Sequence, residues 1–234
     1  MIKEFELETY LKISPNEFGI YILDTKNQKN LFEEKIIFKN HSDKINLEHL
    51  NNFLEDNIFK IEKITGKFIK NISLIIESSQ IQNLSLGIKK KNYDQIINKK
   101  FLESMIIESK DLFKENYQDI KIMHLIVNKY LINQSSSKFF KDGLAGDYFC
   151  IEVNFKFISN SFVLSMNDIL EKFQIRIVGC LDGNYMKNFF KNDNIEVSEM
   201  AFKIQSGYNE NEVKLVPKNQ KNMGIFEKFF QLFS

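Results

Sequence analysis

Between residues 148 and 158, Phe149, Ile151, Val153, Phe155 and Phe157 recur at every second position, with Glu152, Asn154 and Lys156 between them. A period of two predicts a strand with one apolar face and one wetted face. The rhythm then changes: Leu164 or Met166, Ile169, Leu170 and Phe173 fall three and four apart, the stripe of an amphipathic helix. Apolar runs at 119–127 and 174–180 flank this pair. Strand, loop, strand, helix, strand predicts a small sheet with a helix on one face, an α+β architecture.

Upstream, residues 18–24 (FGIYILD) and 31–39 are predicted as paired strands across the polar turn 25–30. Asn46 has the chemistry of a helix cap, and Leu47, Leu50, Phe53, Leu54, Ile58 and Ile61 follow at helical spacing until Gly66. Strands are predicted at 72–77 and 80–88. Asn98 caps a second helix with Leu102, Met105, Ile106 and Phe113 on its inner side and Glu103, Glu108 and Lys110 outside.

The final residues, 223–234 (MGIFEKFFQLFS), carry a different pattern. On a helical wheel Ile225, Phe226, Phe229, Phe230, Leu232 and Phe233 share one arc, and Glu227, Lys228 and Gln231 take the other. Preceded by a polar stretch holding Lys218 and Lys221, this reads as an interfacial membrane anchor; the competing reading is a terminal helix capping the core. Burying six such side chains contributes about 9 kcal/mol gross, and ordering the segment costs a similar amount. A single copy therefore binds reversibly, helped by Lys228 and its basic neighbours on anionic lipid, and linked copies bind firmly.

A chain of 234 residues that is 43% hydrophobic has material for one ordinary domain or two small ones. Lys+Arg 32 against Asp+Glu 31 leaves +1, so no bulk charge directs it to nucleic acid. No apolar stretch reaches the roughly 20 residues of a spanning helix, and the acidic start at 1–11 is unlike a signal peptide, so a cytosolic protein is expected. Cys150 and Cys180 fall in predicted strands as free core thiols. His41, His49 and His124 are too scattered for a metal site. Glu33-Glu34 and Glu55-Asp56 read as solvated surface. Lys89-Lys90-Lys91, with Tyr93 nearby, reads as an exposed basic turn, and Ser135-Ser136-Ser137 as a mobile loop before Phe139 and Phe140.

From Asn71 onward the element order and several local motifs resemble the strand-helix-strand-strand (SHS2) inserted subdomain of FtsA, the actin-like bacterial cell-division family. Residues 71–78 (NISLIIES) stand at one of its strands. Residues 123–133 (MHLIVNKYLIN) place His124, Lys129, Tyr130, Ile132 and Asn133 at the family's H, E, Y, I and D positions. Gly143, Leu144, Ala145 and Gly146 resemble its G-L-S-G turn. The family's first phosphate loop, D-x-G-[TS], is degenerate here: Asp24 and Thr25 are followed by Lys26 at the Gly place and Asn27 at the hydroxyl place. Of the second loop only Leu181-Asp182-Gly183-Asn184 is recognisable.

The resemblance implies a residual N-terminal part at 1–66, an SHS2-like subdomain at 67–190, a linker at 191–221 and the amphipathic helix at 222–234. It implies no cofactor, no ATP turnover and no enzymatic activity. The role it implies is a cell-division scaffold at the cytoplasmic face of the inner membrane near the septum. Its partners would be FtsZ or downstream septal proteins, anionic lipids and further copies of the chain, and no nucleic acid. The related PilM family of pilus-assembly proteins gives the alternative, a membrane-associated scaffold of a pilus or secretion system. A shortened nucleotide-hydrolysing protein ranks third.

Overall fold

The computed structural model describes residues 6–39 and 44–214. In chain order its elements are β1 (Leu7–Ile13), β2 (Glu17–Asp24), β3 (Lys29–Ile37), α1 (Leu47–Thr65), β4 (Asn71–Ile76), β5 (Gln82–Lys91), β6 (Ile96–Ile97) and α2 (Lys99–Asn116). They continue with β7 (Ile120–Ile132), β8 (Ser135–Ser137), β9 (Leu144–Ala145), β10 (Tyr148–Ser159), α3 (Asn160–Glu171), β11 (Arg176–Asp182), α4 (Gly183–Phe189) and α5 (Val197–Gln205). The fold is mixed α+β, as the hydrophobic pattern predicts. Residues up to Ile81 with Ile158–Tyr208 form one unit, and Gln82–Phe157 with the residues from Asn209 form another.

The first unit is built on a five-stranded sheet in the order β11-β4-β1-β2-β3. Strands β1, β4 and β11 run parallel, whereas β2 is antiparallel to both β1 and β3. One face carries α1, where Phe18 of β2 meets Phe53 at 6.2 Å between ring centroids. On the other face Tyr10, Tyr21, Leu23, Ile75 and Leu181 join Met186, Phe190, Ala201 and Ile204 in one core. Cover on both faces is why 18–24 reads as a nearly unbroken apolar run. Helix α1 starts where the Asn46 side chain accepts from the His49 N–H at 3.0 Å, and stops where Gly66, at φ +66, donates to the Glu62 carbonyl.

In the second unit the sheet order is β5-β10-β7-β8, and β10 lies antiparallel to β5. The alternating residues Phe149, Ile151, Val153, Phe155 and Phe157 all face one core, with Met105, Ile106 and Phe113 of α2. Phe113 stacks on Phe155 at 4.2 Å and meets Phe157 edge-on at 5.0 Å. Lys110, expected outside, is one of the buried residues of α2, 2% exposed.

Larger expectations change as well. Residues 67–190 are not one module: β11 pairs with β4, and β4 with β1, in the first unit, so the second unit's sheet holds neither. An unexpected strand, β1, lies at the centre of the first sheet. The stretch expected as a linker at 191–221 contains α5, and its residue Glu212 bridges to Ile126 of β7. The backbone there is fixed by Val127 N–H to the Asn211 carbonyl and Val213 N–H to the Leu125 carbonyl, both 2.8 Å. The amphipathic segment at 222–234 lies outside the described residues.

Candidate functional site

Open sheets with helices on both faces bind ligands outside the carboxyl ends of their parallel strands, where the strand order reverses. In the first unit that place is the border of β1 and β4, since the chain leaves β1 toward β2 and β3 on one side and reaches β4 and β11 on the other. Lys12 near the end of β1, Glu17 at the start of β2, Glu77 just after β4 and Lys187 of α4 converge there. Lys12 Nζ donates to Glu17 Oε2 at 2.5 Å and lies 3.7 Å from Glu77 Oε1. Lys187 Nζ is 2.7 Å from each oxygen of Glu77. The Lys12 side chain is 8% exposed and that of Glu77 15%.

Burial of a charge is tolerated only when it is paired, and here two ammonium groups face two carboxylates. The neighbouring backbone is equally committed. Ser14 N–H donates to the Glu17 carbonyl at 2.9 Å, and Pro15 in the same turn has no N–H. The first turn of α4 is capped by Asp182, whose Oδ1 accepts from Asn184 N–H at 2.9 Å and Tyr185 N–H at 3.2 Å. A phosphate requires free cationic groups and open backbone N–H groups. This crevice presents its own carboxylates instead.

Close packing fixes the arrangement. A Cβ on Gly183 would lie 2.5 Å from Glu77 Cγ, and one on Gly19 would lie 2.7 Å from the Tyr21 hydroxyl. Gly19 is the cross-strand neighbour of Lys12, so the Tyr21 ring passes over it toward the cluster. The Tyr21 hydroxyl is buried, with no hydrogen-bond partner among the described residues. Burial first, and the carboxylates of Glu17, Glu33, Glu196 and Glu77 next, push its pKa up.

Asp24, Thr25, Lys26 and Asn27 lie elsewhere. Leu7 pairs with Asp24, which puts that turn at the amino end of β1, opposite the crevice. There the Asp24 carboxylate accepts from Lys26 N–H at 3.1 Å and from the Asn27 side-chain amide at 2.5 Å. The Asn27 contact is the largest cause of a pKa held below the usual carboxylate range. The turn's donors thus face its own acid, and Lys26 lies 3.4 Å from Glu6. The membrane-segment residues Ile225, Phe226, Lys228, Phe229, Phe230, Leu232 and Phe233 are outside the described residues. His124 is buried, with Nδ1 2.6 Å from Glu212 Oε1. No group of three potential metal ligands occurs among the described residues. None of their helices is long and apolar enough to cross a membrane.

Sequence reasoning missed Lys12, Glu17, Glu77, Lys187 and Tyr21 as a group. The available signal was the alternation of Leu7, Thr9, Leu11 and Ile13, which marks a strand ahead of the first one predicted.

No family model matches the chain, and no curated protein does. Among solved structures it is similar to the cytoplasmic domain of EpsL, an inner-membrane component of the type II secretion system of Vibrio cholerae. That match has 9% identity and a TM-score of 0.36, covering 77% of this chain and 57% of that one. It is similar to the PilM–PilN type IV pilus biogenesis complex at 6% identity and TM-score 0.48, covering 78% of this chain and 49% of that one. A third is a Bacteroides thetaiotaomicron protein with an actin-like ATPase fold and unknown function, at 16% identity and TM-score 0.31, covering 82% and 60%. The chain thus spans between 49% and 60% of these structures' own lengths.

Proposed function

We propose that the chain is a non-catalytic scaffold that holds assembly proteins at the cytoplasmic face of an inner membrane. The observation that carries this reading is the crevice at the carboxyl ends of β1 and β4, where Glu17 and Glu77 neutralise Lys12 and Lys187 and leave no cation for a nucleotide phosphate. It speaks against the shortened nucleotide-hydrolysing protein. Support for docking comes from the second unit, whose strand β5 ends its sheet with one edge unpaired among the described residues, the template that an extended partner segment uses. The amphipathic pattern of residues 223–234 supports the membrane location.

Of the two assemblies that the sequence resemblance offers, we take the pilus or secretion scaffold ahead of the cell-division scaffold. Systems of that kind are named for two of the similar structures, and cell division for none of the three. A fluorescently tagged copy tests the choice. Polar or dispersed membrane foci fit an assembly scaffold; a band at midcell returns the reading to cell division.

A further inference from the structure

At one end of the second unit, on the sheet face turned away from α2, lysines alternate with exposed rings. Tyr148 pairs with Lys91 and Cys150 with Lys89 across the β5–β10 ladder. The Lys89 ammonium sits 4.2 Å from the centre of the Tyr148 ring, and that of Lys91 sits 4.8 Å from the centre of the Tyr93 ring. Lys129 of β7 belongs to the same surface, since it and Lys89 both act on the Cys150 thiol, whose pKa burial nevertheless raises. All three lysines are exposed, and among the described residues none is ion-paired. The acidic groups nearby include Glu152 on β10, Asp94 in the turn and Asp147 next to Tyr148.

The apolar part is held out on purpose-built backbone. Tyr93 and Asp94 both take positive φ, +51 and +55, a conformation that L side chains rarely adopt. The turn is pinned by Asn92, 5% exposed, whose side-chain amide donates to the Gln95 and Gly146 carbonyls and whose N–H donates to the Asp147 carbonyl at 2.6 Å. Tyr93 is left 70% exposed and the following Ile96 66%. A strained, buried-amide turn that displays a tyrosine and an isoleucine between lysines is not needed by the core, which lies on the other face of the sheet.

We infer that Lys89, Lys91, Lys129, Tyr93, Ile96 and Tyr148 form a second membrane contact, one that reads anionic lipid headgroups. Tyrosine rings and apolar side chains seat at the headgroup boundary, and lysines there meet the negative surface of an anionic leaflet. This deepens the membrane-scaffold reading and rests on it. With a second point of attachment, a tail that binds only weakly alone becomes part of a two-site grip, and the sheet is presented in one orientation.

Vesicle co-sedimentation of the full chain tests it, with phosphatidylcholine vesicles and with vesicles containing one part in three of phosphatidylglycerol. Three variants are compared: the triple Lys89→Glu, Lys91→Glu, Lys129→Glu; the tail pair Phe229→Glu, Phe233→Glu; and their combination. At about fivefold per lysine, the triple variant loses on the order of a hundredfold in partitioning onto the anionic vesicles. The tail pair keeps a residual, salt-sensitive binding to them that the combination abolishes. A triple variant that binds like wild type overturns the patch and leaves its lysines to an acidic protein partner. Loss of all anionic-vesicle binding in the tail pair overturns it too, while the membrane reading stands. A wild-type chain that ignores both vesicle types sinks the membrane reading and the patch together.

Discussion

Lys12 Nζ rests 2.5 Å from Glu17 Oε2, a buried lysine bound to a carboxylate at the place where a sheet of this kind takes its ligand. Removing only the cation leaves the Glu17 carboxylate without its partner in a site with little water, while Glu77 keeps Lys187 at 2.7 Å. Lys12→Met is therefore expected to cost about 3–5 kcal/mol, read as a lower midpoint in urea denaturation. Adding Glu17→Gln to that variant recovers part of the loss, because the uncompensated charge is gone. Equal stability of Lys12→Met and wild type would show that the cluster is not buried as described.

The aromatic stack of the second unit carries its own expectation. Phe113 touches Phe155, Phe157 and Tyr117, with centroids 4.2, 5.0 and 5.0 Å away, and is fully buried. Phe113→Ala opens a cavity between α2 and β10 and should destabilise the protein by about 3–5 kcal/mol. Hydrogen exchange locates the effect: amides of 82–157 lose protection first.

Alkali supplies a pH test. Burial pushes Tyr130 up to about 12, and pushes Tyr21 and Tyr10 up as well. A folded pKa above the unfolded value near 10 means that the neutral phenols stabilise the fold below about pH 10 and that this contribution fades as the pH rises beyond it. Spectrophotometric titration should show these three of the eight tyrosines ionising late, in step with unfolding. Tyr21→Phe, which deletes a hydroxyl without a partner, should leave stability unchanged or raise it.

At the carboxyl terminus the expectation comes from the sequence pattern. Phe229→Glu with Phe233→Glu places two charges on the apolar arc of 223–234. Flotation with phosphatidylcholine vesicles should fall to background, and the melting temperature of the rest of the chain should not move. Flotation that survives both charges removes the anchor.

Helices α1 and α2 were legible because a capping asparagine stands before each stripe: Asn46 ahead of Leu47 and Leu50, Asn98 ahead of Leu102 and Met105. Strand β10 was legible from strict alternation over its apolar face. By contrast β1 was faint, since the polar Thr9 stands within its short alternation of Leu7, Leu11 and Ile13, and only pairing to β2 and β4 buries it. The split into two units was hidden for a similar reason: β4 and β5 are close in sequence, and no local residue announces that the chain changes sheets between them. Because the site residues sit at the ends of β1, β2, β4 and α4, losing β1 meant losing the site. Helix α5 was read as linker because Ala201 and Ile204 give a stripe too short to stand out from its polar surroundings.

Isothermal titration of the full chain with Mg-ATP bears most directly on the proposed non-catalytic role, since the crevice at the ends of β1 and β4 is filled by its own ion pairs. A flat trace is expected at every concentration up to the millimolar range. Saturable heat with a micromolar dissociation constant would mean that Lys12 and Lys187 leave their carboxylates for a phosphate, and the non-catalytic reading would be wrong.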